Sequence, residues 1–406
     1  MTRSHHPPDR SEALARLRAF VPKAGRGYAA KRNFDLEGHP HVSVLSPFIR
    51  HRMVTEEEVL AAVLGRYAPP SAEKFIQEVF WRTYWKGWLE MRPGVWEGYR
   101  AEVLRGINRV GSEAGLRRDW EAACLGQTGI GAFDHWAREL RDTGYLHNHA
   151  RMWFASIWIF TLRLPWALGA DFFLRHLIDG DPASNTLSWR WVAGLQTRGK
   201  HYLARPSNIA RYTEGRFRPE GLDTGAGPLE GPPHPERQAA PRSGGLAGGL
   251  TTGLLITEDD LSPGWLIEQV RPVASMVLSG VEGRSPLMVS ERVHAFTDGA
   301  VQDMAARHGA GLGAFAGTVS GKDAAARVAD WAEETGLEQI VVAHPPVGPS
   351  AERVAAAENA LAAREVTLVR VIRPYDALCW PHATAGFFKF KQKIPAFLEE
   401  LGLAAA

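Results

Sequence analysis

Cysteine is nearly absent: the 406 residues contain two, Cys124 and Cys379. A pair so far apart in sequence can make neither a disulfide framework nor a Cys-x-x-Cys zinc site, so a reducing compartment, the cytoplasm, is expected. No uncharged apolar run reaches the ~18 residues that a membrane span needs. The first residues, with Arg3, His5, His6, Pro7 and Pro8, lack the apolar stretch of a secretory leader. There is no Gly-x-Ser-x-Gly nucleophile elbow. Ser320-Gly321-Lys322-Asp323 is not a phosphate-binding loop, because its first Gly is misplaced and Asp stands where a hydroxyl is needed. Gly309-Ala310-Gly311-Leu312-Gly313 follows a helical stretch rather than a strand and reads as a loop. His147 and His149 have no third ligand in the pattern, so no metal is expected.

Net charge is also small, a formal +2, but this total hides an asymmetry. Residues 1–220 carry 32 Lys+Arg against 23 Asp+Glu, a net of +9, whereas residues 221–406 carry 15 against 22, a net of −7. The stretch Ser188–Arg218 holds Arg190, Arg198, Lys200, Arg205, Arg211, Arg216 and Arg218, opposed only by Glu214. Its interleaved Trp189, Trp191, Tyr202 and Tyr212 suit a phosphate backbone with bases stacking nearby; a solvated basic face is the plain alternative. Tryptophan is abundant. Eleven of the 14 lie between Trp81 and Trp191, which means a Trp-rich core, a set of stacking and electron-donating groups, or both.

Gly221–Gly249 contains 13 Gly or Pro in 29 residues and reads as a flexible linker. The expected division is therefore 1–220, a 221–250 linker, and 251–406, with the first part folding independently of the last. Before the linker the pattern is helical. Thr55-Glu56-Glu57-Glu58 caps a helix to about Gly65, Ser71 opens another, and Arg151–Leu164 is apolar almost all round. After it, short apolar runs at 254–257, 276–279, 287–290, 340–343 and 366–372 alternate with helical stretches near 292–308, 321–335 and 350–364. That alternation predicts an α/β unit with a mainly parallel sheet.

One segment concentrates chemistry. Leu177–Ala193 reads L-I-D-G-D-P-A-S-N-T-L-S-W-R-W-V-A, with two carboxylates, an amide and two indoles in an apolar neighbourhood. Buried carboxylates need partners, and Arg151 at the start of a buried helix supplies a cation, with Asn148 near it. A helix cap by Asp179 or Asp181 would account for one of them, not for the set.

At these residues the chain resembles the photolyase/cryptochrome family, in its helical FAD-binding domain. The matching segments are T-G-x-x-x-x-D at Thr128–Asp134, R-D-T-G-Y-L-H-N-H-A-R-M at Arg141–Met152, L-P-W at Leu164–Trp166 and L-I-D-G-D-x-A-S-N-x-x-x-W-x-W from Leu177. R-N-F at Arg32, S-V-L-S-P-F at Ser43–Phe48 and F-I-Q-E-V-F-W-R at Phe75–Arg82 extend the resemblance over about residues 25–218. It implies that the mainly α-helical part is an FAD-binding domain, which the smaller α/β domain read from the strand–helix alternation follows. Tyr28 and Val42, Ser43, Val44, Leu45 and Ser46 would contact the FAD phosphates. Arg151 and Asp179 would pair beside the isoalloxazine, Asp181 would bond its polar edge, and Asn148 would add hydrogen bonds. Asn185 would face flavin N5, and Trp189 and Trp166 would relay electrons to it. Glu78, Trp81, Asn148, Met152 and Trp191 match positions lining a pyrimidine-dimer cavity, with Arg82 and His149 near the DNA backbone; Arg198 and Lys200 belong to the basic stretch.

The resemblance has departures. Thr186-Leu187-Ser188 replaces a usual Gly-Gly, His149 replaces a common Arg, and the outer Trp of the relay has no clear equivalent, Trp120, Trp153 and Trp158 being candidates. The α/β antenna domain that normally precedes the helical domain is not there; P-Y-D-A-L-C-W-P-H-A from Pro374 and G-F-F-K-F-K from Gly386 resemble it, displaced to the C-terminus. What antenna chromophore it would hold is left open. The resemblance implies a monomeric, light-dependent DNA photolyase splitting cyclobutane pyrimidine dimers, without metal or membrane. A cryptochrome-like photosensor without repair activity would use the same flavin pocket, and a flavin-binding relic is the third reading.

Overall fold

Thr55 makes the expected capping box: its hydroxyl accepts from Glu58 N while the Glu58 carboxylate accepts from Thr55 N at 2.9 Å. The helix Glu56–Leu64 that follows buries Val59, Leu60 and Val63. In the computed structural model, which describes residues 6–403, helices account for nearly all regular structure before residue 213. The second expected helix runs Glu73–Glu90, starting later than Ser71 because Pro69–Ser71 form a 3₁₀ turn instead. The apolar stretch from Arg151 is helix Asn148–Ser156 continued by a π-turn, Ile157–Thr161. Helices Trp166–His176 and Pro182–Ala193 close on each other at Gly169, where an added Cβ would lie 2.4 Å from Trp189 Cη2.

The C-terminal part holds five parallel strands: β1 (Thr252–Ile256), β2 (Ala274–Leu278), β3 (Ala314–Val319), β4 (Gln339–Ala343) and β5 (Thr367–Val371), in the order β3-β2-β1-β4-β5. Four of the five expected runs are strands. The run at 287–290 is not one: Ser290 accepts from Arg292 N and starts helix Glu291–His308. The missed strand, β3, lies at the sheet edge and is mostly exposed, so burial imposes no apolar alternation on Ala-Phe-Ala-Gly-Thr-Val. One sheet face, including Leu255, Ile340 and Val342, packs under helices Ala324–Glu334 and Pro349–Ala362. Leu254, Ile256, Val277 and Val341 face the other way and join the core of the helical part.

That shared core packs the two expected parts against each other. Buried ion pairs cross the same boundary. Arg50 Nη1 meets Asp259 Oδ1 at 2.6 Å, and Arg52 Nη2 donates to both carboxylate oxygens of Asp376 at 2.7 Å. Arg373 Nη2 holds Asp260 at 2.8 Å, with Arg52 on that carboxylate's other side at 3.9 Å. The three acids Glu258, Asp259 and Asp260, which directly follow β1, are all buried. Nor does the Gly/Pro-rich stretch hang free. It has no helix or strand, but Leu229 N donates to Ala193 O (2.9 Å), Gln238 N to Met91 O (2.9 Å) and Gly244 N to Arg370 O (2.8 Å). Gly and Pro exclude regular structure there, yet leave backbone groups that bond to either side.

Candidate functional site

Asp181 is the N-cap of helix Pro182–Ala193: its carboxylate accepts from Ser184 N at 2.7 Å, and Pro182 fits the first helical position. The cap alone would leave a buried charge. Lys86 Nζ at 3.7 Å and Arg82 Nη1 at 3.8 Å, both from helix Glu73–Glu90, supply the counter-charges. Burial by itself would raise the Asp181 pKa, but Lys86, Arg82 and Arg50 outweigh it and hold the carboxyl at about 2. Asp179, two residues earlier, pairs with Arg151 Nη2 at 2.8 Å, and Arg151 Nε donates to Leu146 O. Burial also acts upward on Asp179, and Arg151 together with a hydrogen bond from Ser46 keeps it below its ordinary value. Gly180 between them accepts through its carbonyl from Arg50 Nε at 2.9 Å, which ties this turn to the ion pairs crossing the boundary.

Asn185 is buried and donates through Nδ2 to Ala170 O at 2.8 Å, which leaves Oδ1 to accept from a ligand N–H. The loop expected to meet phosphates is bent where a β-branched residue resists it: Val44 has φ 51°, Leu45 N donates to Ser43 Oγ at 3.3 Å, and Ser46 begins helix Ser46–Arg50. Such strain persists only where the surroundings over-determine it. Val42 is half-buried beside them and Tyr28 is buried, its phenol pKa pushed well up by burial. Asp179 Oδ1, His147 Nε2, Lys86 Nζ and Arg82 Nη1 are buried without a hydrogen-bond partner. His147 is the N-cap of helix Asn148–Ser156 and accepts from His149 N, and burial lowers its pKa to about 3, so it is neutral at pH 7.

Several site residues stand differently from expectation. Glu78 is ion-paired to Arg32 through Oε1, which leaves Oε2 as the oxygen able to accept from a base. Arg82 is committed to Asp181, which makes it part of the polar turn and not a free phosphate contact. His149 lies between Trp153 (4.6 Å, 18°) and Tyr212 (5.2 Å, 28°), and burial lowers its pKa to about 4, so it carries no charge for a phosphate at pH 7. Arg190 of the basic stretch is buried over Trp166, because it sits on the inner face of its helix. Arg198, Lys200, Arg205, Arg211, Arg216 and Arg218 are exposed, although Arg216 is held by Asp35. Asn148 is exposed, while Met152, Trp81 and Trp191 are half-buried.

The two indoles expected to relay electrons, Trp189 and Trp166, have different ring neighbours. Trp189 meets Trp158 edge-on at 6.3 Å and Phe173 at 5.0 Å. Trp166 donates its N–H to Glu102 at 2.6 Å and has Tyr99 at 5.8 Å, with Trp96 a further 5.2 Å on. Trp96 in turn donates to Glu352 at 2.7 Å. Of the outer-relay candidates, Trp158 packs on Trp189, Trp153 stacks on Trp136 and Trp120 is half-buried against the core; the rings next to Trp166 are Tyr99 and, beyond it, Trp96. Periodicity gave no sign of Lys86, Arg50 or Arg284 as buried cations. Their one sequence signal is the run Glu258-Asp259-Asp260, which demands counter-charge once buried.

Comparison with known proteins matches residues 75–219 to the family described as the FAD binding domain of DNA photolyase. A deoxyribodipyrimidine photo-lyase of Alkalihalophilus pseudofirmus is 33% identical over 193 residues, 47% of this chain and 39% of that protein. Its counterpart from Streptomyces griseus is 35% identical over 164 residues, covering 40% and 34%. Among solved structures, a bacterial class III photolyase from Agrobacterium tumefaciens is 27% identical at a TM-score of 0.43, covering 50% of this chain and 42% of that one. The chain thus spans about two fifths of the length of the curated relatives it matches. The matched region contains helix Glu73–Glu90, the Arg151–Asp179 pair, Asp181, Asn185 and both members of Trp189-x-Trp191. Over residues 75–219, then, this chain is similar to the FAD binding domain of DNA photolyase.

Proposed function

We propose that the protein is a light-dependent DNA photolyase acting on cyclobutane pyrimidine dimers. The observation that carries this reading is the polar turn Asp179-Gly180-Asp181 with Arg151 and Asn185 around it, inside the region matched to the family. The residues suit FAD. Asp179 Oδ1, His147 Nε2, Lys86 Nζ and Arg82 Nη1 are buried without a hydrogen bond, although Lys86 and Arg82 face Asp181, and a polar ring edge supplies both donors and acceptors for such groups. When bound, the flavin supplies the one-electron chemistry. Arg151 and Asp179 orient the polar ring edge, Asp181 keeps Lys86 and Arg82 in place, and the neutral Asn185 amide accepts from N–H without moving a proton. Trp81 and Trp191 offer flat surfaces to a base taken out of the duplex, and exposed Arg198, Lys200, Arg205 and Arg211 supply the phosphate contacts.

In this reading residues 1–220 form the flavin-binding part, 221–250 a connecting strap, and 251–406 an α/β part related to the antenna module, in a monomeric cytoplasmic protein. No helix among the described residues is long and apolar enough to cross a membrane. The second reading is a photosensor without repair, which would use the same flavin pocket; the observation on its side is the Glu78–Arg32 pair, which takes up one oxygen of that carboxylate. The deciding experiment illuminates the purified, chemically reduced protein with dimer-containing DNA and follows dimer loss. Light-dependent loss is expected, and flavin binding with no loss leaves the sensor.

A further inference from the structure

Trp81 has an unexpected neighbour. Phe387, 306 positions later, lies face to face with its indole at 3.6 Å between centroids and 12° between planes, the tightest ring stack among the described residues. The stack is held from several directions. Tyr84 Oη donates to Ala385 O at 2.7 Å, Arg92 Nη2 donates to Thr384 O at 2.9 Å, and Lys391 Nζ pairs with Glu73 at 2.8 Å. These bonds clamp the segment Thr384–Lys391 along helix Glu73–Glu90, on both sides of Trp81. Phe387 is itself buried, set among Tyr84 at 5.5 Å and Phe390 at 6.1 Å, whose ring continues to Phe80 and Phe397. The next residue, Phe388, is 81% exposed, so the segment runs along the protein surface.

A phenyl ring at this distance and tilt covers one indole face. Tyr84 at 5.6 Å (81°) and Trp85 at 5.3 Å (41°) also meet the indole, so the exposure left to half-buried Trp81 is the part of its other face and edges that these two rings leave free. An indole on an otherwise movable side chain is thereby fixed in one plane, with one side backed by the core.

We propose that Phe387 is a positioning residue for nucleobase recognition: it fixes the plane of Trp81, so that the opposite face of the indole is ready to stack on a base. The α/β part of the chain then contributes to base binding without touching the base. This rests on the reading of Trp81 as a wall of the base pocket. A pre-oriented ring loses less rotamer freedom on binding, so the effect belongs in affinity for an extruded base and not in attraction to phosphate.

The test measures dark binding of the full-length holoprotein to a labelled oligonucleotide with one cyclobutane dimer, and to the same strand undamaged. Phe387→Leu keeps apolar bulk but removes the flat ring. It is expected to weaken binding to the dimer strand about two- to ten-fold, the range of an aromatic pair, and to leave undamaged-strand binding unchanged. Phe387→Tyr, which keeps the ring, is expected to restore the dimer affinity. In a Trp81→Leu background, Phe387→Leu should have no further effect. Equal weakening on both strands, tighter dimer binding, or a loss that persists without Trp81 overturns the positioning role. A parent protein that binds both strands alike overturns the base-pocket reading itself, and the positioning role with it.

Discussion

Replacing Asp181 by Asn separates the charge of this residue from its role as a cap. Asn caps helices about as well as Asp, so the bond from Ser184 N is retained and helix Pro182–Ala193 should form. What disappears is the charge facing Lys86 and Arg82, of which Lys86 has only 1% of its side chain exposed. The fall of the Asp181 pKa from 3.8 to about 2 corresponds to roughly 2–3 kcal/mol of stabilisation at neutral pH. Removing one partner of a buried pair costs about 3–5 kcal/mol in general. The expected loss is therefore about 2–4 kcal/mol, read from urea unfolding of parent and variant followed by far-UV circular dichroism. Its pH dependence has a definite sign. A carboxyl with a depressed folded-state pKa stabilises fully above its unfolded value, and that stabilisation fades as pH falls through the folded value. The gap between parent and variant should be full at pH 7 and shrink as pH falls from about 4 towards about 2. Asp171, raised by burial to about 6, works in the opposite direction but is common to both proteins and cancels in the difference. A gap below about 0.5 kcal/mol at pH 7, the range of ordinary surface changes, would refute the ion-pair account; so would a gap that is undiminished at low pH.

Trp189→Phe should slow photoreduction of the flavin while dimer repair survives in chemically pre-reduced protein, and Trp191→Ala should do the reverse, lowering dimer affinity by about 1–3 kcal/mol; the same loss in both variants contradicts the two assignments. Arg198→Ala or Lys200→Ala should reduce the slope of log K against log[salt] for DNA binding by up to about one unit, measured by titration at several salt concentrations. Gly169→Ala should destabilise by about 1–3 kcal/mol in urea, because its Cβ would lie 2.4 Å from Trp189 Cη2.

How far the sequence carried varied with the kind of physics involved. The helix after Thr55 and strands β1, β2, β4 and β5 were legible because local chemistry and burial act in the same direction there. The edge strand β3 was not, since exposure removes the pattern that betrays a strand. In the candidate site, the pairing of Arg151 with Asp179 was expected from the family resemblance and is present. The partners of Asp181 were not foreseen: Lys86 comes from another helix, and nothing local marks it as buried. Arg82, Glu78 and His149 have partners that the sequence does not announce. Residue type suggests a free charge or acceptor, whereas long-range packing had already supplied Asp181, Arg32 and two aromatic rings as partners.

Arg50 with Asp259 and Arg52 with Asp376 make the order of the two parts along the chain a matter of genetics more than of mechanics. Isolating either part would expose the apolar surface that the two share, so a polypeptide ending near Gly221 should aggregate or unfold. A cut within 221–250 is a different event. It severs one covalent connection but leaves the buried contacts in place, and the two fragments should migrate together as a nicked complex until denaturant separates them. The covalent link is then dispensable once folding is complete, and either part could be written first in a gene and still find the same partner surface.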